Sequence, residues 1–362
     1  MVMKLKRWHI WLGVAISAVF LYLAFRKVDF SLVWQYLKQA QWSWVLLGLA
    51  FYFFGVLLRA WRWQVLLNPL KRLPIRRLFP VVAIGYMGNN VYPARAGEVL
   101  RSVLLKSKDQ VDISGSLATI VVERLFDAIV ILGLVLLNLR QLSAMPAAAE
   151  WVGSIQKGAL IGSAVFLLLL LIFLAMVFFP VQTQKISAWV INRIVPSRLR
   201  PSLSGIVARF INGLSSLRSP VETLKVLLLS IAIWTCETGL YWGVMRALGM
   251  DLSFMTLMLL NGVVNLVLLV PAAPGGLGTF DAACKAMLIL FGIGAELALG
   301  YTLLLRAALW VPITVLGALF FLREGFSLST DVGTLKEKYS DQSEAGAPGA
   351  KPAAEQEEID KP

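Results

Sequence analysis

Apolar runs of membrane-spanning length recur along this chain from Trp8 to Leu322, and glycine and proline cut several of them. A span needs roughly 20 apolar residues at about 1.5 Å rise each. The chain therefore reads as an all-α polytopic membrane protein. Composition agrees: 58% of its 362 residues are hydrophobic and 15% are charged, against about 45–50% and about 25% in soluble domains. A water-soluble globular fold is excluded.

The first run, His9–Phe25, follows Lys4, Lys6 and Arg7 and has no small-x-small cleavage site after it, so it is expected to be an uncleaved anchor. Trp42 to about Leu67 comes next, with Arg59 and Arg62 near its end. Leu78–Tyr92 is too short to cross comfortably, and Gly88-Asn89-Asn90 and Pro93 are expected to break it. Ile113–Leu139, Leu160–Phe179, Leu224–Leu248 and Leu297–Leu322 are full-length candidates. Phe254–Val270 and Ala282–Gly292 flank a second break, Pro271 to Gly278.

Charge sets the expected topology. The N-terminus is basic, and the stretches Arg59–Arg77 and Lys185–Arg218 each hold six Lys or Arg, so all three should face the cytoplasm. The sparsely charged Arg140–Lys157 connection reads as external. Arg26, Lys27 and Lys38 then fall on the external side, against the rule. These assignments close if each half of the chain reads span, span, broken hairpin, span, giving about six full spans and two broken or re-entrant hairpins. Three crossings per half is an odd number, so the second half is expected to be inverted. The halves run from about 5 to 140 and from about 158 to 325, within a membrane domain ending near 328. Inverted repeats with paired Gly/Pro-interrupted segments mark transporters whose site lies at the repeat interface. Residues 329–362, rich in Ser, Gly, Ala, Pro and mixed charge, are expected to form a disordered cytoplasmic tail.

The net charge of +13 divides into +17 over residues 1–330 and −4 over the tail. In a membrane protein that excess speaks of orientation and anionic headgroups, not nucleic acid. Cys236 and Cys284 lie far apart in apolar runs and suggest neither a disulfide nor a metal site. The single histidine, His9, sits at a membrane entry. Zinc hydrolysis and His-dependent triads lose their support, and no cofactor is expected.

A charge near the bilayer centre costs about 2.5–3.5 kcal/mol on insertion scales. Glu123, Arg124 and Asp127 lie mid-run, with Glu123 and Asp127 on one helix face, and Glu237 and Arg306 are similarly deep. Such groups line a cavity or hold helices together as ion pairs. Asn89 and Asn90 lead into Pro93-Ala94-Arg95-Ala96-Gly97-Glu98 and Arg101. A break there frees backbone groups, Arg95 and Arg101 supply cations, and Glu98 supplies a partner or proton acceptor. The guanidinium fork matches phosphate oxygens bidentately. The second break, Gly275-Gly276-Leu277-Gly278-Thr279-Phe280-Asp281, opens a helix whose N-terminus is anion-ready; it is equally a tight turn that needs glycine. Arg59-Ala60-Trp61-Arg62-Trp63 reads as an interfacial belt, and Asn261 with Asn265 as either an interhelical bond or a cavity lining.

These pieces, in this order and spacing, resemble the flippase-like membrane family built on the transmembrane region of lysylphosphatidylglycerol synthase. The matching segments are Arg59 to Trp63, Asn89 to Glu98 with Arg101, Glu123-Arg124 with Asp127, and Pro271 to Asp281, within roughly residues 5–325. The resemblance implies a multi-pass protein of a bacterial inner membrane, with both termini cytoplasmic, that moves a polar-headed lipid between leaflets. The candidate lipids are phospholipids, aminoacyl-phospholipids, polyprenyl-linked sugars and hopanoid-related lipids. The larger synthases append an aminoacyl-transfer domain; none follows here, so no synthetic activity is expected. Two other readings stand beside transport: a membrane-embedded transferase with Glu98 or Asp281 as base, and a non-transporting partner of a lipid-biosynthesis enzyme. Neither the oligomeric state nor the lipid follows from the sequence.

Overall fold

The computed structural model describes residues 29–92, 95–143, 177–214, 217, 219–268 and 274–323, with positions 168 and 175. The expected anchor at His9–Phe25, most of the external connection and of Leu160–Phe179, and the tail lie outside these residues; residues 140–143 of that connection continue a helix. The chain divides after Phe320, and the second unit is described only as the last three residues of a helix.

The described residues are all-helical, with eleven α-helices and no strand. In order they are α1 (Phe30–Gln39), α2 (Trp42–Leu67), α3 (Ile75–Val91), α4 (Ala96–Asp109), α5 (Ile113–Ser143), α6 (Pro180–Ile194), α7 (Arg200–Gly213), α8 (Pro220–Ala247), α9 (Phe254–Val267), α10 (Thr279–Leu290) and α11 (Ala295–Arg323). Three of them, α2, α8 and α11, are long and apolar enough to cross a membrane. The 31-residue α5 is longer still but carries Glu123, Arg124 and Asp127 in its middle and Arg140 near its end. Local chemistry starts several helices: Ser219 caps α8 ahead of Pro220 in the first turn, and the Ser253 hydroxyl accepts from the Thr256 N–H at 3.1 Å.

The centre is the α2–α8 pair. Gly48 meets Leu240 and Gly243, Gly55 meets Ile233 and Cys236, and Arg62 bonds Ser230, so the two helices run antiparallel. Small residues let the backbones approach, the usual way for helices to gain dispersion contacts inside a membrane. Helix α5 packs across this pair, with Val122 and Phe126 against Leu66, Val226 and Ile233.

The two broken hairpins, α3–α4 and α9–α10, consist of helices of 17, 14, 14 and 12 residues. At about 1.5 Å per residue each falls short of a hydrocarbon core of about 30 Å. The first break differs from the sequence expectation. Helix α3 continues through Gly88, Asn89 and Asn90 to Val91, and α4 begins at Ala96. Tertiary contacts hold this last turn: Gly88 packs on Gly97, and Asn90 donates to the Thr314 hydroxyl of α11 at 2.9 Å. The short helix α1, absent from the sequence reading, lays Val33 and Tyr36 near Gly300 of α11. Its Lys38 lies over the exposed Trp34 ring at 5.5 Å, an arrangement suited to an interface.

Candidate functional site

Helix α4 folds back on α3 through glycine. A Cβ on Gly97 would lie 1.9 Å from the Gly85 carbonyl and 2.6 Å from the Asn89 nitrogen, so only hydrogen fits. This approach carries Glu98 and Arg101 into the bundle beside α5. Arg95 occupies the N-cap of α4 at φ 53°, a left-handed conformation that strains any side chain with a Cβ.

Around this hairpin, among the described residues, the arginines 59, 62, 95, 101 and 124 gather with Glu98, Glu123, Asp127 and Glu237. Arg59 pairs with Glu237 across the α2–α8 crossing. Arg62 reaches Asp127 at 2.6 Å, Ser230 at 2.7 Å and Glu123 at 3.7 Å. Arg101 takes the other oxygen of Glu123 at 2.9 Å while its guanidinium stacks 3.9 Å over Trp63. Arg124 bridges Glu98 at 2.8 Å and Asp127 at 3.4 Å. Trp234 donates its indole N–H to Asp127 at 3.1 Å, and Trp63 donates to Thr119 at 3.0 Å.

The network grades from dry to accessible. The Arg62 and Glu123 side chains are 2% and 3% exposed, that of Glu98 is 20% and that of Arg124 is 36%. At the accessible end Arg95 forms none of these ion pairs, and among the described residues its guanidinium donates to the Leu268 carbonyl alone, at 3.5 Å, at the end of α9. Arg95 thus reaches from the first break to the second. Several buried donors also have no hydrogen-bond partner among the described residues: Nε and Nη2 of Arg101, Nη1 of Arg59, and Nε of Arg62, which faces Glu123 at 3.7 Å. Buried polar groups of this kind are normally satisfied, so these N–H groups remain for water or an anionic oxygen.

The second break is built differently. Gly275, Gly276 and Gly278 all have positive φ, and a Cβ on Gly275 would strike Trp310 at 1.7 Å. The N-terminus of α10 is already occupied by its own carboxylate: Asp281 accepts from the Gly278 N–H at 2.9 Å and from Arg306 Nε at 2.7 Å. Arg306 also donates to the Gly276 carbonyl at 3.1 Å and lies near the Phe280 and Trp310 rings. Its Nη1 is buried without a partner. The turn at Pro274–Gly276 packs on α3, which places the two breaks side by side.

Of the residues singled out by sequence, Glu98, Arg101, Glu123, Arg124, Asp127 and Glu237 share one network, and Arg306, Asp281 and Gly276 form a second. Asn89 leaves its Oδ1 buried without a partner, whereas Asn90 ties α3 to α11. Asn261 is an interhelical donor, reaching Thr238 of α8 at 3.2 Å. Two expectations are corrected. Glu98 pairs with Arg124, not with Arg95. The supposed belt at Arg59–Trp63 is core: Arg59, Arg62 and Trp63 are buried, and only Trp61 is exposed. The missed signal was periodic. Gly48, Tyr52, Gly55, Arg59, Arg62 and Leu66 recur every three or four residues, so the arginines continue a small-residue packing stripe.

The chain is 26% identical over 294 residues to a UPF0104 membrane protein of Methanothermobacter thermautotrophicus, covering 78% of this chain and 83% of that one. A UPF0104 membrane protein of Methanocaldococcus jannaschii is 26% identical over 234 residues, 64% of this chain and 92% of its own. Glycosyltransferase AglD of Haloferax volcanii is 24% identical over 293 residues; the match spans 75% of this chain but 47% of that protein. The family model for the transmembrane region of lysylphosphatidylglycerol synthase matches residues 10–317. This multi-pass membrane protein therefore belongs to the lysylphosphatidylglycerol synthase transmembrane-region family.

Proposed function

We propose that this protein is a lipid translocase of the flippase or scramblase type, moving a lipid with an anionic or polar headgroup across a cytoplasmic membrane without chemical change to the lipid. The observation that carries the reading is Arg95. It stands at the tip of the first break, outside the ion pairs of a network in which every carboxylate is matched, and it touches the second break. A headgroup phosphate at this point would meet Arg95 and the accessible edge of Arg124, with the unpartnered donors of Arg101 behind them. The acyl or prenyl chains would stay in lipid. The antiparallel packing of α2 and α8, which hold corresponding places in the two halves, supports the inverted-repeat arrangement that alternating access uses. A transferase would need a free base; Glu98 and Asp281, the two candidates, are both engaged by arginine. A membrane partner of a lipid-modifying enzyme is the second reading. It is favoured by the relative named a glycosyltransferase, which this chain matches over less than half that relative's length.

The test is translocation of a fluorescent phosphatidylglycerol in vesicles holding only the purified full chain, without nucleotide. The expected result is faster exchange between leaflets, lost in Arg95→Ala at an unchanged melting temperature. No exchange by the wild type, or full exchange by Arg95→Ala, overturns transport through this site and leaves the partner reading. Cysteine labelling tests the inversion: a probe placed between 142 and 156 is expected to label from outside and one between 200 and 215 to be protected. Labelling of both from one side overturns it.

A further inference from the structure

On the face of α2 opposite Arg59 and Arg62, counted at 100° per residue, Phe53, Phe54 and Leu57 are turned outward. With Phe79 and Pro80 of α3 and Phe320 of α11 they line a groove of about 720 Å³, a volume typical of ligand clefts. Phe79 and Phe320 meet edge to face, with ring centroids 6.0 Å apart. Pro80 has no N–H to return to the Arg76 carbonyl one turn earlier, which loosens α3 where it borders the groove. The one charged side chain in the lining is Arg76.

The segment leading into α3 holds Lys71 and Arg72, the first turn of α3 holds Arg76 and Arg77, and their roles differ. Lys71 donates to the Asp109 carbonyl at 2.6 Å, and Arg77 pairs with the Asp109 carboxylate at 3.2 Å. Arg72 and Arg76 are exposed and form no ion pair among the described residues. An apolar trough thus ends at the Arg76 guanidinium, with the exposed Arg72 four residues earlier in the chain.

We propose that this groove binds one anionic phospholipid of the adjacent leaflet, its chain along Phe54, Leu57 and Phe79 and its phosphate on Arg76 and Arg72. The chemistry fits each part: the trough takes hydrocarbon, and the guanidinium forks match phosphate oxygens bidentately. Juxtamembrane cations also attract anionic lipid over zwitterionic lipid. A second copy of this chain docking here through the same patch would set Arg72 and Arg76 against their own equivalents, which like charges oppose. The groove faces away from the ion network, so it is separate from the proposed transport site.

The experiment is native mass spectrometry of the full chain in detergent with equal dioleoylphosphatidylglycerol and dioleoylphosphatidylcholine. One phosphatidylglycerol is expected to be retained in preference to phosphatidylcholine. In Arg76→Gln that preference should fall roughly fivefold, and in the double variant with Arg72→Gln it should fall to near parity. Leu57→Trp, at a position 41% exposed and so outside the core, should fill the groove and abolish retention. Equal retention of the two lipids by the wild type, no retained lipid, or a preference that survives the arginine changes overturns the proposal. Retention unaffected by Leu57→Trp overturns it too, because the arginines would then act as a surface patch without the groove. A Phe54→Trp variant repeats that arm should Leu57→Trp fail to fold.

Discussion

At the second break, Asp281 caps its own helix within one turn of chain and also neutralises Arg306 of α11. At the first, Arg95 caps α4 with a strained backbone and no carboxylate, and the carboxylates nearby are engaged by other arginines. Both breaks rely on glycine for close approach, and they lie side by side. The difference lies in where the charge is balanced. The second break matches its arginine with a carboxylate, whereas the first leaves one cation facing an accessible space.

The largest expected effect comes from the dry end of the first network. Asp127→Ala strips Arg62 of its main partner, and Arg62 is 2% exposed, so unfolding in detergent should show a loss of about 3–5 kcal/mol. Asp281→Ala should cost less, about 2–3 kcal/mol, because Arg306 keeps the Gly276 carbonyl and a more exposed side chain while α10 loses its cap. A greater loss for Asp281→Ala would reverse the ranking of the two breaks.

Next come the glycines. Gly97→Ala sets a methyl against a backbone carbonyl that has no flexible end to yield, and should destabilise by about 1–3 kcal/mol with the α3–α4 hairpin spread apart. Cross-linking yield between cysteines placed on α3 and α4 reads that spreading. An unchanged yield at unchanged stability would mean the hairpin is looser than its geometry.

The smallest effect on stability, and the sharpest on the comparison, is Arg95→Gly. Glycine adopts φ 53° freely, so stability should hold or rise by about 1 kcal/mol while lipid exchange is lost. A fall in melting temperature would make Arg95 a structural group like Arg306 and erase the difference between the breaks.

Much of the fold was legible because its signals are local. Trp42–Leu67 was read with the ends it has in the structure, and the α9–α10 break falls where Pro271 to Gly278 places it. At the first break Pro93 falls between α3 and α4, but Gly88, Asn89 and Asn90 stay within α3. Gly88, Asn89 and Asn90 weaken a helix in isolation, yet here Gly97 packs against that turn and Thr314 bonds it. At the site, the charges on α5 were found because they are costly in an apolar run. Arg59 and Arg62 were misread because Trp61 and Trp63 beside them also suit an interface, and nothing in that short motif tells a buried face from an exposed one.

The sequence by itself determined that this chain is a helical membrane protein with two interrupted segments, since apolar length and Gly/Pro punctuation act within a few residues of chain. The choice of partners was left to the tertiary structure. Arg59 finds Glu237 178 positions away, Arg62 finds Asp127 65 away, and Arg124 takes the Glu98 that lies three residues from Arg95. An ion pair in a dry interior depends on which helix faces pack together and how deeply. That is a property of the assembled bundle, and it alone decides which arginine is left without a carboxylate.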